Sequence, residues 1–238
     1  MVKGILTSAG AMRPALLAQD ILANNLANAN TTGFRADRMA FQLINSQPPG
    51  AGSIEAATSG PVLTTRLDNG PGAYQVTDRP LDLALQGEGF FVVNTPEGDR
   101  YTRSGHFMLG DDGTLITPQG HAVLSDGGPL TLPGNTDVQI TSSGQIRAQG
   151  RRIGRLQVVT FEEEPTFTHA GGGLLATEAE PMPADGSRVL QGVLEGPNVE
   201  SVQAMVEMIT LLRYFEMNQK ALQIQDESLG NLLAWVRA

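Results

Sequence analysis

The chain has 238 residues, a formal net charge of -9 and no cysteine, so disulfides, thiolate catalysis and cysteine-held metals are excluded. Its acidic balance argues against nucleic-acid binding, which shows a basic footprint. With 28 glycines, 14 prolines and only 5% aromatics, the chain is turn-rich with a modest core, enough for one large domain or two small ones. No apolar run approaches the roughly 18 residues of a membrane-spanning helix. Residues 1–30 are broken by Arg13, Pro14, Gln19 and Asp20 before a signal-peptide core accumulates. The expectation is a cytosolic protein, or one that leaves by a route reading no cleavable signal.

In chain order, Ile5, Ala9, Met12, Leu16, Gln19, Ala23 and Leu26 fall on steps of four and three, the spacing of a helix face. Pro14 removes one backbone donor inside that pattern, which predicts a kink there or a helix starting just before it. The helix is expected to end near Asn28. Asn24–Asn30 holds four asparagines, whose amides compete for nearby backbone groups, and Gly33 can take a left-handed cap conformation. Asn24 and Asn28 lie on one face at i, i+4, and so many amides exceed what a cap needs. Asn24, Asn25 and Asn28 are therefore candidates for hydrogen bonds to neighbouring chains in a packed array.

From Met39 to Gly72 the pattern weakens, and Gln47–Ser53 reads as linker. From Tyr74 to about Leu194 the period becomes two. Leu81, Leu83 and Leu85 alternate with Asp82 and Ala84 as in a half-buried strand, and Phe90–Val93 returns after Gly87-Glu88-Gly89. Turns follow at Glu97-Gly98-Asp99, Asp111-Asp112-Gly113, Pro118-Gln119-Gly120, Asp126-Gly127-Gly128 and Ser142-Ser143-Gly144. Their spacing of roughly ten residues is a sandwich or barrel rhythm. Ile153–Phe161 is a later strand candidate.

After Gly196-Pro197 the only glycine is Gly230 and there is no further proline. Met205, Met208, Leu212, Phe215, Leu222, Leu229, Leu233 and Val236 follow a heptad seam, and Val202, Val206 and Ile209 widen it. Asn198 is a suitable N-cap, and Glu200 places a negative charge in the first turn. Such a helix spans roughly 58 Å and needs a partner along its length. The candidate partner is the N-terminal helix.

The chemistry-bearing residues form no catalytic set. His106, His121 and His169 are far apart, and none has a metal partner at i+2 or i+4. Gly87-Glu88-Gly89 lacks the third glycine of a dinucleotide fingerprint and precedes a strand. Asp111-Asp112-Gly113 is a fragment of a calcium loop that reads better as a hairpin turn. Glu162-Glu163-Glu164 reads as a solvated loop, and Met205, Met208 and Met217 as helix packing. Arg147, Arg151, Arg152 and Arg155 form one basic cluster without interleaved aromatics. It reads either as a salt-bridge surface toward another subunit or as a β-edge guarded by charge.

Ala23–Arg35, which reads ANNLANANTTGFR, resembles the N-terminal signature of the flagellar rod and hook protein family. Pro80–Val93 and Tyr101–Phe107 are similar to that family's central β-domain motifs. Val193–Val199 resembles the entry to its C-terminal helix, with Pro197 where the family more often has Ser or Ala. Within the family, the short central domain and Gly128–Pro133 look most like proximal rod members, with distal rod members as close relatives.

The combined expectation is an α+β fold. Long N- and C-terminal helices pair as a coiled-coil-like stalk, and an all-β domain of sandwich or barrel type is inserted between them. The expected divisions are a helical stalk at 1–36, an extended connector at 37–74, a β-rich domain at 75–196 and a helical stalk at 197–238. Helix packing is assigned to Leu16, Leu26, Leu212, Phe215 and Leu222. The resemblance implies a non-enzymatic axial subunit of the bacterial flagellar rod. It implies export unfolded through the flagellar type III apparatus and assembly in the periplasm with copies of itself and other rod proteins. No cofactor, metal, nucleic acid or small-molecule substrate is expected. Two other classes stay open: a soluble β-domain binding module with a helical dimerisation stalk, which an ordered dimer would favour, and a hydrolase with an unrecognised site.

Overall fold

The computed structural model describes residues 2–43, 61–133, 138–162, 165–184 and 186–237. The expected linker Gln47–Ser53 lies outside them, as do Glu163 and Glu164. The chain divides into two units. One gathers Met1–Ala27, Asp37–Arg66 and Glu200–Ala238, and the other Asn28–Ala36 and Leu67–Val199.

The first unit holds helix α1, Val2–Ala27, helix α2, Ser201–Arg237, and a two-stranded ladder of Asp37–Leu43 with Pro61–Leu67. Helix α1 runs through Pro14 from Val2. Its buried face is Ala15, Ala18, Ile21 and Asn25, while Leu16 and Leu17 point outward. Helix α2, at 37 residues, is about 56 Å long. It approaches α1, with Ala204 buried and Met208, Leu211, Phe215 and Leu222 half-buried. The first α2 bond runs from the Ala204 amide to the Glu200 carbonyl, which makes Glu200, not Asn198, the capping position.

The expected coiled-coil-like stalk is not what the helices form. A coiled coil encloses both seam positions of each heptad. Here Leu16 is 46% exposed, Met205 50% and Leu212 38%. The helices are also unequal, at 26 and 37 residues. Helix α2 carries apolar residues on nearly opposite sides, Met208–Leu211–Phe215 on one and Val202–Val206–Ile209 on the other. Steps of three and four therefore fit more than one line along it, and the sequence pattern selects no single seam.

The second unit is built on a curled ten-stranded antiparallel sheet rather than a sandwich inserted in a stalk. Its central strand is Phe90–Thr95. One edge pairs with Gly98–Thr102 from Phe91 to Thr95. The other is shared, with Val158–Thr160 pairing at Phe90 and Phe91 and Ala122–Ser125 at Val93 and Asn94. Both faces of this strand are buried, which accounts for its unbroken apolar run. Phe91 and Val93 enter a core with Leu83, Leu85, Phe107, Leu115, Val123 and Ile146. Phe90 and Val92 enter a second one with Tyr101, Val159 and Leu175, flanked by Phe161 and Phe167. Burying each such side chain contributes about 1.5–3 kcal/mol.

Smaller ladders complete the unit. Leu83–Gln86 pairs with Arg188–Gln191, and Tyr74–Val76 with Val193–Glu195. Val138–Ile140, Gln145–Ala148 and Arg151–Arg155 form a three-stranded sheet. Two readings from the sequence differ here. Ala84 is as fully buried as Leu83 and Leu85, so the alternation marks no wet face. Ile153–Phe161 is two strands, not one, because Leu156 and Gln157 leave the first ladder: the Leu156 amide donates to the Gly144 carbonyl at 2.9 Å and the Gln157 amide to the Leu124 carbonyl at 3.1 Å.

Candidate functional site

Three of the motif segments meet inside the second unit. The centre is Glu195, whose side chain is wholly buried at the end of the strand Val193–Glu195. The Arg35 Nη2 donates to Glu195 Oε1 at 2.7 Å, and the Gly72 amide donates to the same oxygen at 3.1 Å. Arg103 Nη1 stands 3.6 Å from Glu195 Oε2. Both arginines are themselves buried.

Backbone carbonyls take three further arginine donors. Arg35 bonds the Gly70 carbonyl, and Arg103 bonds those of Leu85 at 3.3 Å and Gly87 at 2.7 Å. The Arg103 guanidinium also lies 5.5 Å from the centre of the Phe90 ring, within cation–π range. Burial pulls the Arg103 pKa down to about 10, against the opposing pull of Glu195, so this side chain stays charged at neutral pH. Burial, then Glu195, raises the Tyr74 pKa; its hydroxyl donates to the Leu85 carbonyl at 2.8 Å.

Asn198 joins the same cluster. Its Oδ1 accepts from the Ala36 amide at 2.7 Å, and its Nδ2 donates to the carbonyls of Asp68 and Gly70 at 2.9 and 3.1 Å. The Gly33 amide donates to the Glu195 carbonyl at 2.8 Å, and the Phe34 ring stacks on His169 with centroids 5.3 Å apart. Gly33 has a φ of +68°, and a Cβ there would run into the backbone of Arg103 and Ser104. Glycine is thus required twice, for conformation and for space.

This arrangement fixes structure and performs no chemistry. His106 Nδ1 and Asp82 Oδ1 are 2.9 Å apart, but among the described residues no hydroxyl hydrogen-bonds the ring, so the pair has no nucleophile to activate. No group of three potential metal ligands lies together among the described residues.

The residues picked from the sequence are dispersed over the molecule. On α1, Leu16 and Asn24 are exposed and Leu26 is half-buried. Asn25 is buried, and its amide both donates to the Asp37 carbonyl and accepts from the Asp37 amide, each at 2.9 Å. Asn28 is half-buried in the second unit. On α2, Leu212 is exposed while Phe215 and Leu222 are half-buried. Sequence reasoning missed the Arg35–Glu195–Arg103 junction. Its available signal was one charged residue inside each otherwise neutral motif: Thr32-Gly33-Phe34-Arg35, Tyr101–Phe107 and Val193–Val199.

One unit holds a buried ionic junction without a reacting group, and the other a long helix with an exposed apolar strip; together these features define a structural subunit of a larger assembly. Three family models match. They are the flagella basal body rod protein model at residues 5–35, the flagellar hook protein FlgE/F/G D1 domain at 84–148, and the flagellar basal body rod FlgEFG protein C-terminal model at 190–234. The chain is 36% identical to the flagellar basal-body rod protein FlgF of Salmonella typhimurium, with 97% of this chain and 96% of that one covered. It is 30% identical to FlgG of Caulobacter vibrioides (96% and 97% covered) and 32% to FlgG of Bacillus subtilis (98% of each). The chain belongs to the flagellar basal-body rod protein family. It is a structural rod subunit of the basal body, not an enzyme, and it assembles with other rod proteins. The binding-module and hydrolase readings give way to this.

Proposed function

We propose that this chain is a proximal rod subunit of the FlgF kind, exported unfolded through the flagellar type III apparatus and assembled in the periplasm. The proximal reading is supported by the identity of 36% to the Salmonella FlgF against 30% and 32% to the two FlgG proteins. The observation that carries the mechanical reading is the bare side of α2. Val202 is 76% exposed, Val206 59% and Ile209 52%. Left wet, this strip costs the chain the transfer free energy that a neighbouring subunit would recover. In the rod, Leu16, Leu26, Leu212, Phe215 and Leu222 pack against neighbours. Asn24 and Asn28 make lateral hydrogen bonds, and Asn25 holds the chain turn through Asp37.

The test is immunogold imaging of basal bodies purified from the native host with this subunit epitope-tagged. Label at the inner-membrane end of the rod is the expected result. Label confined to the outer end would reassign the chain to the distal rod. Separately, a variant lacking residues 2–30 should stay in the cytosol, and its appearance in the periplasm would place the export address elsewhere.

A further inference from the structure

The sheet Val138–Ile140, Gln145–Ala148, Arg151–Arg155 has two different faces. Val138, Ile140, Ile146 and Ala148 are buried beneath it. The other face carries Arg147 and Arg152, which the register places directly opposite each other; Arg151 is paired with the buried Ala148 and so belongs to the first face, where it is exposed at the edge strand. Like charges directly opposite across strands are unfavourable. None of these three arginines has a carboxylate within ion-pair distance among the described residues. Arg155 is the exception to their freedom, since its Nε donates to the Ser143 carbonyl at 3.0 Å. Ile153, 38% exposed, adds an apolar contact amid the charges. Four of the sixteen basic residues of an acidic chain stand within nine positions here. Among the described residues no carboxylate forms an ion pair with any of the four.

We propose that this arginine face docks the acidic surface of a second copy of this chain, with Glu178 and Glu180 as the carboxylates it receives. Both glutamates are exposed and make no ion pair among the described residues. They stand two positions apart between the strands Leu174–Ala176 and Met182–Pro183. Arginine forks suit carboxylates in this role, and opposite charge steers encounter and sets register. A contact between two different faces of one chain is heterologous, the type of interface from which a helical assembly is built. The proposal rests on the chain being a rod subunit.

The experiment uses the assembled rod and the absence of native cysteine. Arg152→Cys and Glu180→Cys are introduced together into the tagged subunit, and purified basal bodies are oxidised. Disulfide-linked multimers of this subunit, absent from either single variant, are expected. In parallel, Arg147→Glu with Arg152→Glu should lose swimming while the purified protein melts as wild type does. Adding Glu178→Arg with Glu180→Arg to that variant should restore swimming. Normal swimming of the arginine-reversed variant would overturn the proposal in favour of a charge-guarded edge. A photocrosslinker at position 152 that captures a different rod protein would overturn the choice of partner. Loss of the tag from basal bodies of the otherwise wild-type subunit would instead remove the rod reading on which the proposal stands.

Discussion

Arg35 and Glu195, separated by 160 positions, meet at 2.7 Å with side chains 2% and 0% exposed. One belongs to the segment that follows the first helix, the other to the segment that precedes the last. Their ion pair, with Arg103 as a third member, ties both to the β unit. A buried pair of this kind is weak evidence of net stabilisation, but breaking it is costly because the remaining charge is stranded.

Glu195→Gln is therefore expected to lower the stability of the β unit by about 3–5 kcal/mol, since Arg35 and Arg103 would stay buried without a carboxylate. The exposed pair Arg100–Glu97, 3.1 Å apart with the Glu97 side chain 80% exposed, is the control. Glu97→Gln should leave the melting curve unchanged, because an exposed pair is screened by solvent. Chemical denaturation of both variants beside wild type measures the difference. Equal curves for the two would show that the junction is not what holds these segments.

The parts of the fold that were legible in the sequence are those written locally. Asp111-Asp112-Gly113, Pro118-Gln119-Gly120 and Ser142-Ser143-Gly144 all end on a glycine with positive φ, as their turn chemistry implies. Phe90–Val93 shows as a strand because four consecutive large apolar residues suit a strand buried on both faces. What needed the chain's return from far away was not legible. The pairing of Leu83–Gln86 with Arg188–Gln191 spans about a hundred residues and leaves no periodic trace. The stalk was misread because α2 is apolar on more than one side, so periodicity alone could not say which side a partner covers. Asn198 obeys the grammar of a helix cap, yet tertiary partners claim its amide. In the junction, one charge per motif carries no pattern that links the three.

Asn198→Ala tests that reassignment. As a cap substitution it would cost about 1 kcal/mol and act on the start of α2. As a member of the junction it would strand the Ala36 amide and free two carbonyls, at about 1–3 kcal/mol. Hydrogen exchange separates the two: faster exchange at the Ala36 amide is expected, with the first turn of α2 unaffected. Faster exchange confined to that first turn would restore the capping role.

Two glycines with similar backbone angles should behave differently when replaced. Gly33 has a φ of +68° and Gly120 of +87°. A Cβ at Gly120 meets nothing within 4 Å, whereas at Gly33 it enters the backbone of Arg103–Ser104. Gly120→Ala should cost about 1–2 kcal/mol, the penalty of a left-handed L-residue. Gly33→Ala should exceed that and prevent the protein from accumulating in a folded form. Melting midpoints and soluble yield of the pair report the contrast, and equal effects would mean that space at Gly33 is not limiting.

The two sides of α2 make opposite demands on stability and assembly. Val206 is 59% exposed, so Val206→Asp removes little burial within the chain and should leave its melting nearly unchanged. In the rod the same aspartate would sit against a neighbour's apolar surface, where an unpaired carboxylate costs several kcal/mol. Loss of rod assembly and of swimming is expected from a stable subunit. Phe215 is half-buried on the other side. Truncation of a fully buried Phe costs about 3–5 kcal/mol, so Phe215→Ala should cost a fraction of that in the isolated chain. If neighbours complete its burial, the larger effect of Phe215→Ala appears only in assembly. Thermal melting of each purified variant, set beside a motility assay of the same allele, decides the matter. Normal swimming with Val206→Asp would mean that the bare side of α2 stays in solvent and that the rod contact uses another surface.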